Sequence, residues 1–437
     1  MKLEELKASY RLIDLFVELA EVPSPSFKEE KVTRKILELL NIYCINAQKD
    51  AYGNIIAKIP AHPNCKNVPP LLLSAHMDVV GGTDPVNVRL SGDGKYIETD
   101  KTRTLGGDDK AGLAAILDLA IELNGINANI EHGPIEISFT RDEETCMTGI
   151  TNLDTSKIQS KYALILDGEY LGELDVEGAG FTNIYIKVSG GKGGHSGTNI
   201  GEKDRVSAIK VLSELDAMIY QGAYKEDERG VITSINAGVS VGGTANVYIA
   251  EILKDVYELA REKKPIPEKY NSKNILNTIN HEAALNVISN EAYQAYSLRS
   301  SNKEYERELI ASIKDQVSLL NKKYSGLIKI DVEVKSHLMP FEKSPDEFLP
   351  NVVIEAGKNI GLEIKPVNFH AGAESHVLAN DKKNAKGESF VPVIVGVANM
   401  ANIHSADEKI EWKSFLEGRK LLEQIVVTFA GNFNLFG

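Results

Sequence analysis

Five short stretches of the chain carry imidazole and carboxylate groups of the kind that bind metal ions. They are His76-Met77-Asp78, Gly107-Asp108-Asp109-Lys110, Asp142-Glu143-Glu144, Asp167-Gly168 and Asn402-Ile403-His404. Each lies at or just after the end of an apolar run, and in an α/β protein strand ends deliver side chains to a shared crevice. Two imidazoles with several carboxylates suit Zn²⁺, Mn²⁺ or Co²⁺ better than Ca²⁺ alone. The pattern therefore predicts a metal site.

His76 and Asp78 end the apolar run 71–75 and lie two positions apart, so they face the same side of a strand. A carboxylate beside a metal-bound histidine orients the imidazole ring and raises its basicity. A strand-end histidine followed by a surface aspartate would give the same short pattern. At this point the sequence leaves both interpretations open.

Asp108 follows two glycines in a stretch that leads into an apolar helical run beginning at Ala111. An aspartate that only caps the helix is the simpler interpretation of this residue alone. A carboxylate has two oxygens, however, and can bridge two cations. Asp108 is therefore the candidate for a shared ligand.

Glu143 and Glu144 follow the apolar run 135–140, and adjacent residues there point in different directions. One can bind a metal while the other faces a substrate, although a plain acidic turn is the alternative. A free glutamate beside a metal-bound water is the general base that amide hydrolysis requires.

The number of candidate ligands exceeds what one catalytic zinc with an open position needs. They are His76, Asp108, Glu144, Asp167 and His404. If Asp108 is shared, each of two metals receives three protein groups, and a bridging water completes both. Ions in such paired sites lie about 3.5–4 Å apart. The count thus favours a two-metal centre.

The composition excludes several classes of partner. Lys plus Arg number 49 against 62 Asp plus Glu, a net charge of −13, which argues against nucleic acid or an anionic membrane as the main partner. The three cysteines, Cys44, Cys65 and Cys146, form no disulfide framework and fit a reducing compartment. The acidic first residues lack the features of a signal peptide, and no stretch approaches the roughly 20 apolar residues of a membrane span. We therefore expect a cytoplasmic protein.

The elements that must position these residues change in character along the chain. Up to about residue 166, short apolar runs alternate with helical segments, as is typical of a buried, mostly parallel sheet. Residues 182–188 and 328–334 instead alternate apolar and polar, as antiparallel strands with one wet face do. The buried pattern returns at 391–397. The sequence predicts an α/β domain made of 1–178 and 338–437, interrupted by an α+β domain over 179–337.

Three local patterns add detail to this prediction. Residues 3–21 are typical of an amphipathic helix, and Ser26 with Glu29 matches a capping box that opens a second helix to about Leu40. Residues 251–282, rich in Glu, Lys, Asn and Pro, are longer than the roughly 12–15 residues common for irregular segments. We expect an additional helical segment there.

In this order and spacing, the five stretches resemble the di-zinc metallopeptidase family that includes peptidase T, aminoacyl-histidine dipeptidase, carboxypeptidase G2 and the aminoacylases. The resemblance extends over about residues 24–426. It implies that the interrupted domain is catalytic and that 179–337 is a lid and dimerisation domain. The implied roles are His76 and Asp167 on one metal, Glu144 and His404 on the other, Asp108 bridging, Glu143 as general base, and Asp78 orienting His76. It also implies a cis peptide bond between Asp108 and Asp109.

The inserted block carries three further residues of the same resemblance. His195, in Gly193-Gly194-His195-Ser196-Gly197, resembles the lid histidine that stabilises the oxyanion in the neighbouring subunit. Arg299 resembles the arginine that binds a substrate carboxylate. Asn286 resembles the asparagine of an Asn-Val-Ile-Pro motif, with serine in place of the proline, and Asn246 is a competing match.

Within the family, 104–112 resembles peptidase T, whereas 193–197 and 370–374 resemble aminoacyl-histidine dipeptidase. The peptidase T-like branch is favoured, and the substrate length stays open. Glu374 is a candidate contact for a substrate amino group, and a plain loop glutamate is the alternative. The resemblance implies a homodimeric aminopeptidase-type exopeptidase that hydrolyses dipeptides or tripeptides. It implies two divalent ions, Zn²⁺ first, with Mn²⁺ or Co²⁺ as alternatives. An N-acyl amino acid deacylase and a non-catalytic metal- or peptide-binding module are the other functions considered.

Overall fold

A computed structural model describes residues 2–125, 129–261, 264–271, 273, 275 and 285–434. Residues 276–284, which include the end of the predicted additional segment, lie outside this description. The chain divides into two compact units. The first unit comprises Met1–Gly178, Phe341–Phe369 and Ala373–Gly437, and the inserted unit comprises Ala179–Pro340 and His370–Gly372. The implied roles of the two units stay predictions.

The regular elements of the described residues are numbered along the chain. The helices are α1 (Leu3–Ser9), α2 (Arg11–Ala20), α3 (Glu30–Ile42), α4 (Gly107–Leu123), α5 (Glu143–Cys146), α6 (Thr148–Thr151), α7 (Ala208–Asp216), α8 (Thr244–Arg261), α9 (Lys303–Lys323), α10 (Phe348–Asn359), α11 (Glu374–Asp381) and α12 (Trp412–Asn434). The strands are β1 (Asn46–Lys49), β2 (Ile55–Ile59), β3 (Leu71–His76), β4 (Val88–Leu90), β5 (Tyr96–Thr99), β6 (Ile135–Thr140), β7 (Tyr162–Leu171), β8 (Glu173–Gly178), β9 (Gly180–Ser189), β10 (Gly222–Asp227), β11 (Gly230–Gly242), β12 (Ala292–Ser300), β13 (Lys329–Leu338), β14 (Lys365–Phe369), β15 (Val391–Gly396), β16 (Met400–Ala401) and β17 (Lys409–Glu411).

The first unit is built on an eight-stranded sheet with the order β1-β2-β6-β3-β7-β15-β8-β14. Its centre, β6-β3-β7-β15, is parallel, whereas β1, β2 and β6 pair antiparallel, as do β15 and β8. Strands β3, β6 and β15 are buried along their whole length, because both faces of a central parallel sheet are covered. Helix α4 packs against β3 and β7. The α/β prediction is confirmed, and the carboxyl ends of β3, β6 and β7 meet at one edge.

Two local predictions for the first unit were wrong in detail. The predicted first helix is broken at Tyr10, whose extended backbone separates α1 from α2. Ser26 does not cap α3, because its hydroxyl donates to Asp78 Oδ2 at 2.7 Å. Glu29 accepts instead from the Arg141 guanidinium, with 2.6 Å between Oε2 and Nη2. Contacts distant in sequence replace the local capping box.

A short antiparallel sheet, β16-β17-β5-β4, was not predicted.

The outer helices of the first unit are joined by a buried charge cluster around Asp118 on α4. Its carboxylate accepts from Arg11 Nε at 2.6 Å and from Arg419 Nε at 2.8 Å. Arg419 is buried and also contacts Glu122 and Glu423. Asp118 therefore ties α2 and α12 to α4.

We expect Asp118→Ala to lower the free energy of unfolding by about 2–4 kcal/mol, because it leaves the Arg419 guanidinium buried with one partner fewer. Glu18→Ala, which removes the half-exposed pair with Lys35, is the matched control and should cost less than about 1 kcal/mol. Urea unfolding followed by circular dichroism measures both values. Equal losses in the two variants would contradict the importance of the cluster.

The inserted unit contains the antiparallel sheet β10-β11-β12-β9-β13. One face packs against α7 and α9 through a core that includes Ile184, Leu298 and Ile313. Helix α8 packs through Val247 against Tyr185 and Tyr293 of the sheet. The predicted additional segment is thus helical over its described beginning, and its helix starts earlier, at Thr244.

Two findings bear on the expected class of protein. No helix among the described residues combines the length and apolar character needed to cross a bilayer. Cys44 is an exposed free thiol, and Cys65 is buried.

Candidate metal centre

His76 is the last residue of β3, and its ring is buried. Its Nδ1 lies 2.9 Å from the backbone oxygen of Asp78 and 3.4 Å from Asp78 Oδ1. In the neutral ring, a proton on Nδ1 that is donated to Asp78 leaves the lone pair of Nε2 free. Nε2 faces Asp108 Oδ1 at 2.9 Å and Asp167 Oδ1 at 3.6 Å. Burial opposes a positive charge on the ring, but hydrogen bonds to Asp108, Asp167 and Asp78 raise the pKa of His76 well above its usual range. Nε2–H therefore donates to these carboxylates, and a metal ion would take the place of that proton.

Asp108 lies in the tight turn that opens α4, where the backbone of Asp108 and Asp109 is not helical. The peptide bond between these two residues is cis, as the resemblance implied. Asp108 Oδ2 lies 3.1 Å from His404 Nε2, whereas Oδ1 is the oxygen that faces His76. The two oxygens of Asp108 therefore face two different imidazoles.

His404 follows β16 in a loop where both Asn402 and His404 have a left-handed backbone, with φ of 57° and 61°. Such conformations cost energy in a non-glycine residue and are concentrated at functional sites. The imidazole Nε2 also lies 3.1 Å from Glu144 Oε1. His404, Glu144 and Asp108 thus form the second half of the cluster.

Asp78 connects the two halves. Its Oδ1 accepts from the backbone N–H of Glu143 at 2.9 Å, and its Oδ2 accepts from that of Glu144 at 3.1 Å. Burial opposes ionisation of Asp78, but hydrogen bonds with His76 and Ser26 outweigh it and lower its pKa. One ionised carboxylate therefore holds the end of β3 against the first turn of α5.

Two groups of side chains have ligand atoms that all lie within 4.8 Å of one another. The first is His76, Asp108 and Glu144, and the second is His76, Asp109 and Asp167. Asp109 was not predicted. Its oxygens accept from the backbone N–H groups of His76 and Gly112, at 3.2 and 3.0 Å. These bonds make it a support for β3 and α4 rather than a free ligand.

Gly112 is required for this arrangement. A Cβ atom there would lie 2.3 Å from Asp109 Oδ1 and 2.8 Å from the backbone oxygen of Leu166, closer than real Cβ contacts. Any larger residue would push α4 away from Leu166 of β7, the residue before Asp167, and β7 continues past the predicted strand end to Leu171. The glycines of this turn thus allow a close approach of backbone to carboxylate.

The crowded acids shift one another's pKa values. Burial and the charge of Asp108 raise the pKa of Asp167 to about 8. Hydrogen bonds to Asp108 and Glu144 raise the pKa of His404 to about 10. Burial also raises the pKa of Glu143 well above its usual range, with His76 opposing this shift. The cluster therefore requires compensating positive charge.

Divalent cations fit this donor set. Neutral imidazole nitrogens and carboxylate oxygens are the ligands that Zn²⁺ and related ions bind, and cations supply the positive charge that the acids require. His76, Asp108 and Asp167 could hold one ion, and Asp108, Glu144 and His404 could hold another. Glu143 lies next to Glu144 in the chain but belongs to neither of these two sets of ligands.

Glu408 supports the centre and was not recognised in the sequence. It is buried, and its carboxylate accepts from the backbone N–H groups of Gly106 and Gly107, both at 2.8 Å, and from the hydroxyl of Thr104. A residue four positions after His404 thereby fixes the turn that carries Asp108. The sequence contains no local signal for this contact apart from its proximity to His404.

His195 and Asn286 lie together in the inserted unit. His195 forms an isolated β-bridge with Val287, and the backbone N–H of Ser196 donates to the backbone carbonyl oxygen of Asn286 at 2.8 Å. His195 is exposed, and its Nδ1 accepts from the backbone N–H groups of Gly197 and Thr198 at 3.1 and 3.2 Å. A neutral ring in this arrangement carries its proton on Nε2.

Arg299 lies on β12, between Ser234 of β11 and Phe181 of β9. Its guanidinium carbon lies 5.1 Å from the centre of the Phe181 ring. Ser234 Oγ also lies 2.7 Å from His370 Nε2. The arginine thus has an aromatic ring on one side and polar groups in the neighbouring strand.

Glu374 begins α11 and is buried in the first unit. Its Oε2 accepts from Ser74 Oγ at 3.1 Å, and Oε1 has no hydrogen-bond partner among the described residues. Burial raises its pKa. The predicted contact with a substrate amino group stays a prediction, and the observed contact links Glu374 to the strand that ends in His76.

Comparison with known proteins places this fold in context. The chain is 30% identical over 217 residues to the cytosol non-specific dipeptidase of Escherichia coli, covering 43% of this chain and 43% of that protein. It thus spans less than half the length of that relative. It is 24% identical over 385 residues to peptidase T of Clostridium novyi, covering 80% and 82%.

A solved structure has the same fold. The crystal structure of aminopeptidase PepT from Bacillus cereus superposes with a TM-score of 0.77 at 23% identity, covering 96% of this chain and 98% of that one. Residues 72–428, most of the chain, match the model of the peptidase family M20/M25/M40. The chain belongs to the peptidase family M20/M25/M40.

Proposed function

We propose that the chain is a metal-dependent exopeptidase that hydrolyses dipeptides or tripeptides at a centre of two divalent cations. The observation that carries this proposal is the Asp108 carboxylate, whose two oxygens lie 2.9 Å from His76 Nε2 and 3.1 Å from His404 Nε2. A shared carboxylate between two imidazoles is the arrangement that a paired site needs. Family membership and the names of the relatives, peptidase T and dipeptidase, support the same activity.

The metal ligands in this proposal are His76, Asp167, Glu144 and His404, with Asp108 shared. We propose Zn²⁺ as the resident ion and Mn²⁺ or Co²⁺ as alternatives, since all three accept imidazole and carboxylate ligands. When bound, two such ions polarise the scissile carbonyl and lower the pKa of an attacking water.

Glu143 is the general base in this proposal. It takes the proton of the attacking water and passes it to the leaving amine nitrogen. Burial raises its pKa, a direction that favours accepting a proton from the attacking water, and the positive charge of bound ions would oppose this shift. The bond from its backbone N–H to Asp78 holds it beside the ligand Glu144.

His195 is the proposed donor to the oxyanion. Its Nδ1 accepts two backbone N–H groups, so the neutral ring offers Nε2–H to a developing negative charge. We propose that it acts on the neighbouring subunit of a homodimer, with Asn286 beside it. Arg299 binds the substrate carboxylate, because a guanidinium matches two carboxylate oxygens at once. We also propose a cytoplasmic location.

A peptide panel tests the proposed function. Dipeptides, tripeptides, N-blocked and C-amidated peptides, and N-acetyl amino acids are incubated with the protein supplemented with Zn²⁺, Mn²⁺ or Co²⁺. We expect hydrolysis of peptides with a free amino terminus and little hydrolysis of N-blocked ones. Preferred cleavage of N-acetyl amino acids would make the protein a deacylase. Failure to cleave any member would leave a non-catalytic binding module.

A further inference from the structure

Helix α8 covers the face of the inserted sheet that also carries Arg299. Tyr185 on β9 and Tyr293 on β12 pack against α8, through Val247. Phe181 is four residues from Tyr185 on the same strand, and alternate residues of a strand share a face. Phe181 pairs directly with Arg299. The additional helix and the arginine therefore lie on one face of the same sheet.

A row of side chains crosses this face from strand to strand. Ser234 pairs with Arg299, and Arg299 pairs with Phe181. On the next strand, the register shifts between Ser336 and Leu338, so His337 is the extra residue of a bulge. A bulge redirects a side chain, and His337 stacks on Phe181 with ring centres 5.4 Å apart and planes at 28°.

Glu258 of α8 holds the far end of this row. It is buried, accepts from the Tyr185 hydroxyl at 2.7 Å, and has Oε1 3.4 Å from His337 Nε2. Asn183 Nδ2 lies 2.9 Å from the Tyr185 hydroxyl and 3.1 Å from His337 Nε2. A continuous set of contacts thus joins α8 to His337, Phe181 and Arg299.

The geometry leaves Arg299 suited to bind an anion. A guanidinium that lies over an aromatic ring interacts through its planar face, while its N–H groups point outward along its edges. Those edges match the two oxygens of a carboxylate. Because Phe181 restricts the Arg299 guanidinium before a ligand binds, the arginine loses less conformational entropy on binding.

We infer that Glu258 and His337 are positioning residues through which helix α8 holds Arg299 ready for the C-terminal carboxylate of a peptide substrate. This inference rests on the proposed function, in which Arg299 binds that carboxylate. Neither residue touches the substrate. Both act through Phe181, so their loss weakens substrate binding and leaves the chemical step unchanged.

Glu258→Ala and Phe181→Leu test this inference. We expect each to raise KM for a tripeptide roughly two- to fivefold at unchanged kcat, the range that a lost cation–π contact supports. The same tripeptide with an amidated C-terminus should show an unchanged kcat/KM. Glu251→Ala is the matched control, since it removes a glutamate of α8 that pairs with Lys187, six residues from Phe181.

Arg299→Met separates the inference from the proposed function. If Arg299→Met leaves KM unchanged, the carboxylate role of Arg299 fails. If Arg299→Met raises KM while Glu258→Ala and Phe181→Leu do not, the positioning inference is overturned and the carboxylate role stands.

A measurement without substrate gives an independent readout. In protein labelled with ¹⁵N-arginine, the Nε–Hε resonance of Arg299, assigned with Arg299→Lys, should shift in Glu258→Ala and in Phe181→Leu but not in Glu251→Ala. A resonance that stays in place in folded Glu258→Ala would overturn the inference. If that variant does not fold, Glu258→Gln, which keeps an acceptor for Tyr185, replaces it with a smaller expected shift in the same resonance.

Discussion

Glu143→Ala should retain both metal ions while kcat falls about 10²- to 10⁴-fold, the range that general base catalysis contributes. The side chain belongs to neither group of ligand atoms within 4.8 Å of one another, so its removal leaves the ligands in place. Without it, the attacking water has no carboxylate to accept its proton. Metal content per chain from plasma mass spectrometry and kcat at saturating peptide test this result.

The adjacent residue provides the contrast. Glu144 lies 3.1 Å from His404 and is a proposed ligand, so Glu144→Ala should lose metal as well as activity. Both variants would then lose turnover, but only Glu144→Ala would also lose metal. A Glu143→Ala variant with the turnover of the parent protein would remove the general base from the mechanism.

Asp108→Ala should abolish tight binding of both metal ions and lower activity by more than about 10³-fold. The substitution removes a ligand from each half of the centre. Loss of the ions also removes several kcal/mol of stabilisation of the charge that develops in the transition state. Equilibrium dialysis against Zn²⁺ measures the number of ions bound per chain.

An aspartate far from the centre serves as the control for this variant. Asp93 is exposed and accepts from Ser91 in a surface turn, so Asp93→Ala should bind metal as the parent does. An Asp108→Ala protein that still binds two equivalents of zinc with the parent affinity would contradict a shared ligand. Loss of one equivalent only would assign Asp108 to a single ion.

The central sheet could be predicted because its signal is local. The run that forms β3 begins with three leucines that lie on both faces, as is typical of buried parallel strands, whereas β6 alternates apolar and polar residues although it is buried throughout. The short strands β4 and β17 have three residues each, too few to show a period, so the small sheet was missed. The break at Tyr10 also lacks the proline or glycine that usually announces one.

Some residues of the candidate site could likewise be predicted from the local sequence, and others could not. Each predicted metal ligand stands next to an apolar run, and the structure brings these side chains to one place, while their roles stay predictions. Asp109 stands in the same stretch as Asp108, and nothing local distinguished it as a supporting residue, whereas Glu408 had no such signal. Glu408 is recognised only through its bonds to Gly106 and Gly107, about 300 residues earlier in the chain. Contacts at that separation leave no periodic pattern in the sequence.

The contact between Glu408 and the Asp108 turn has a consequence during synthesis. A nascent chain that has left the ribosome only as far as the inserted unit contains Asp108, but neither His404 nor the carboxylate that braces Gly106 and Gly107. Translation must pass residue 408 before the turn is braced. The growing polypeptide therefore cannot complete the candidate metal centre before residues 404 and 408 have been synthesised.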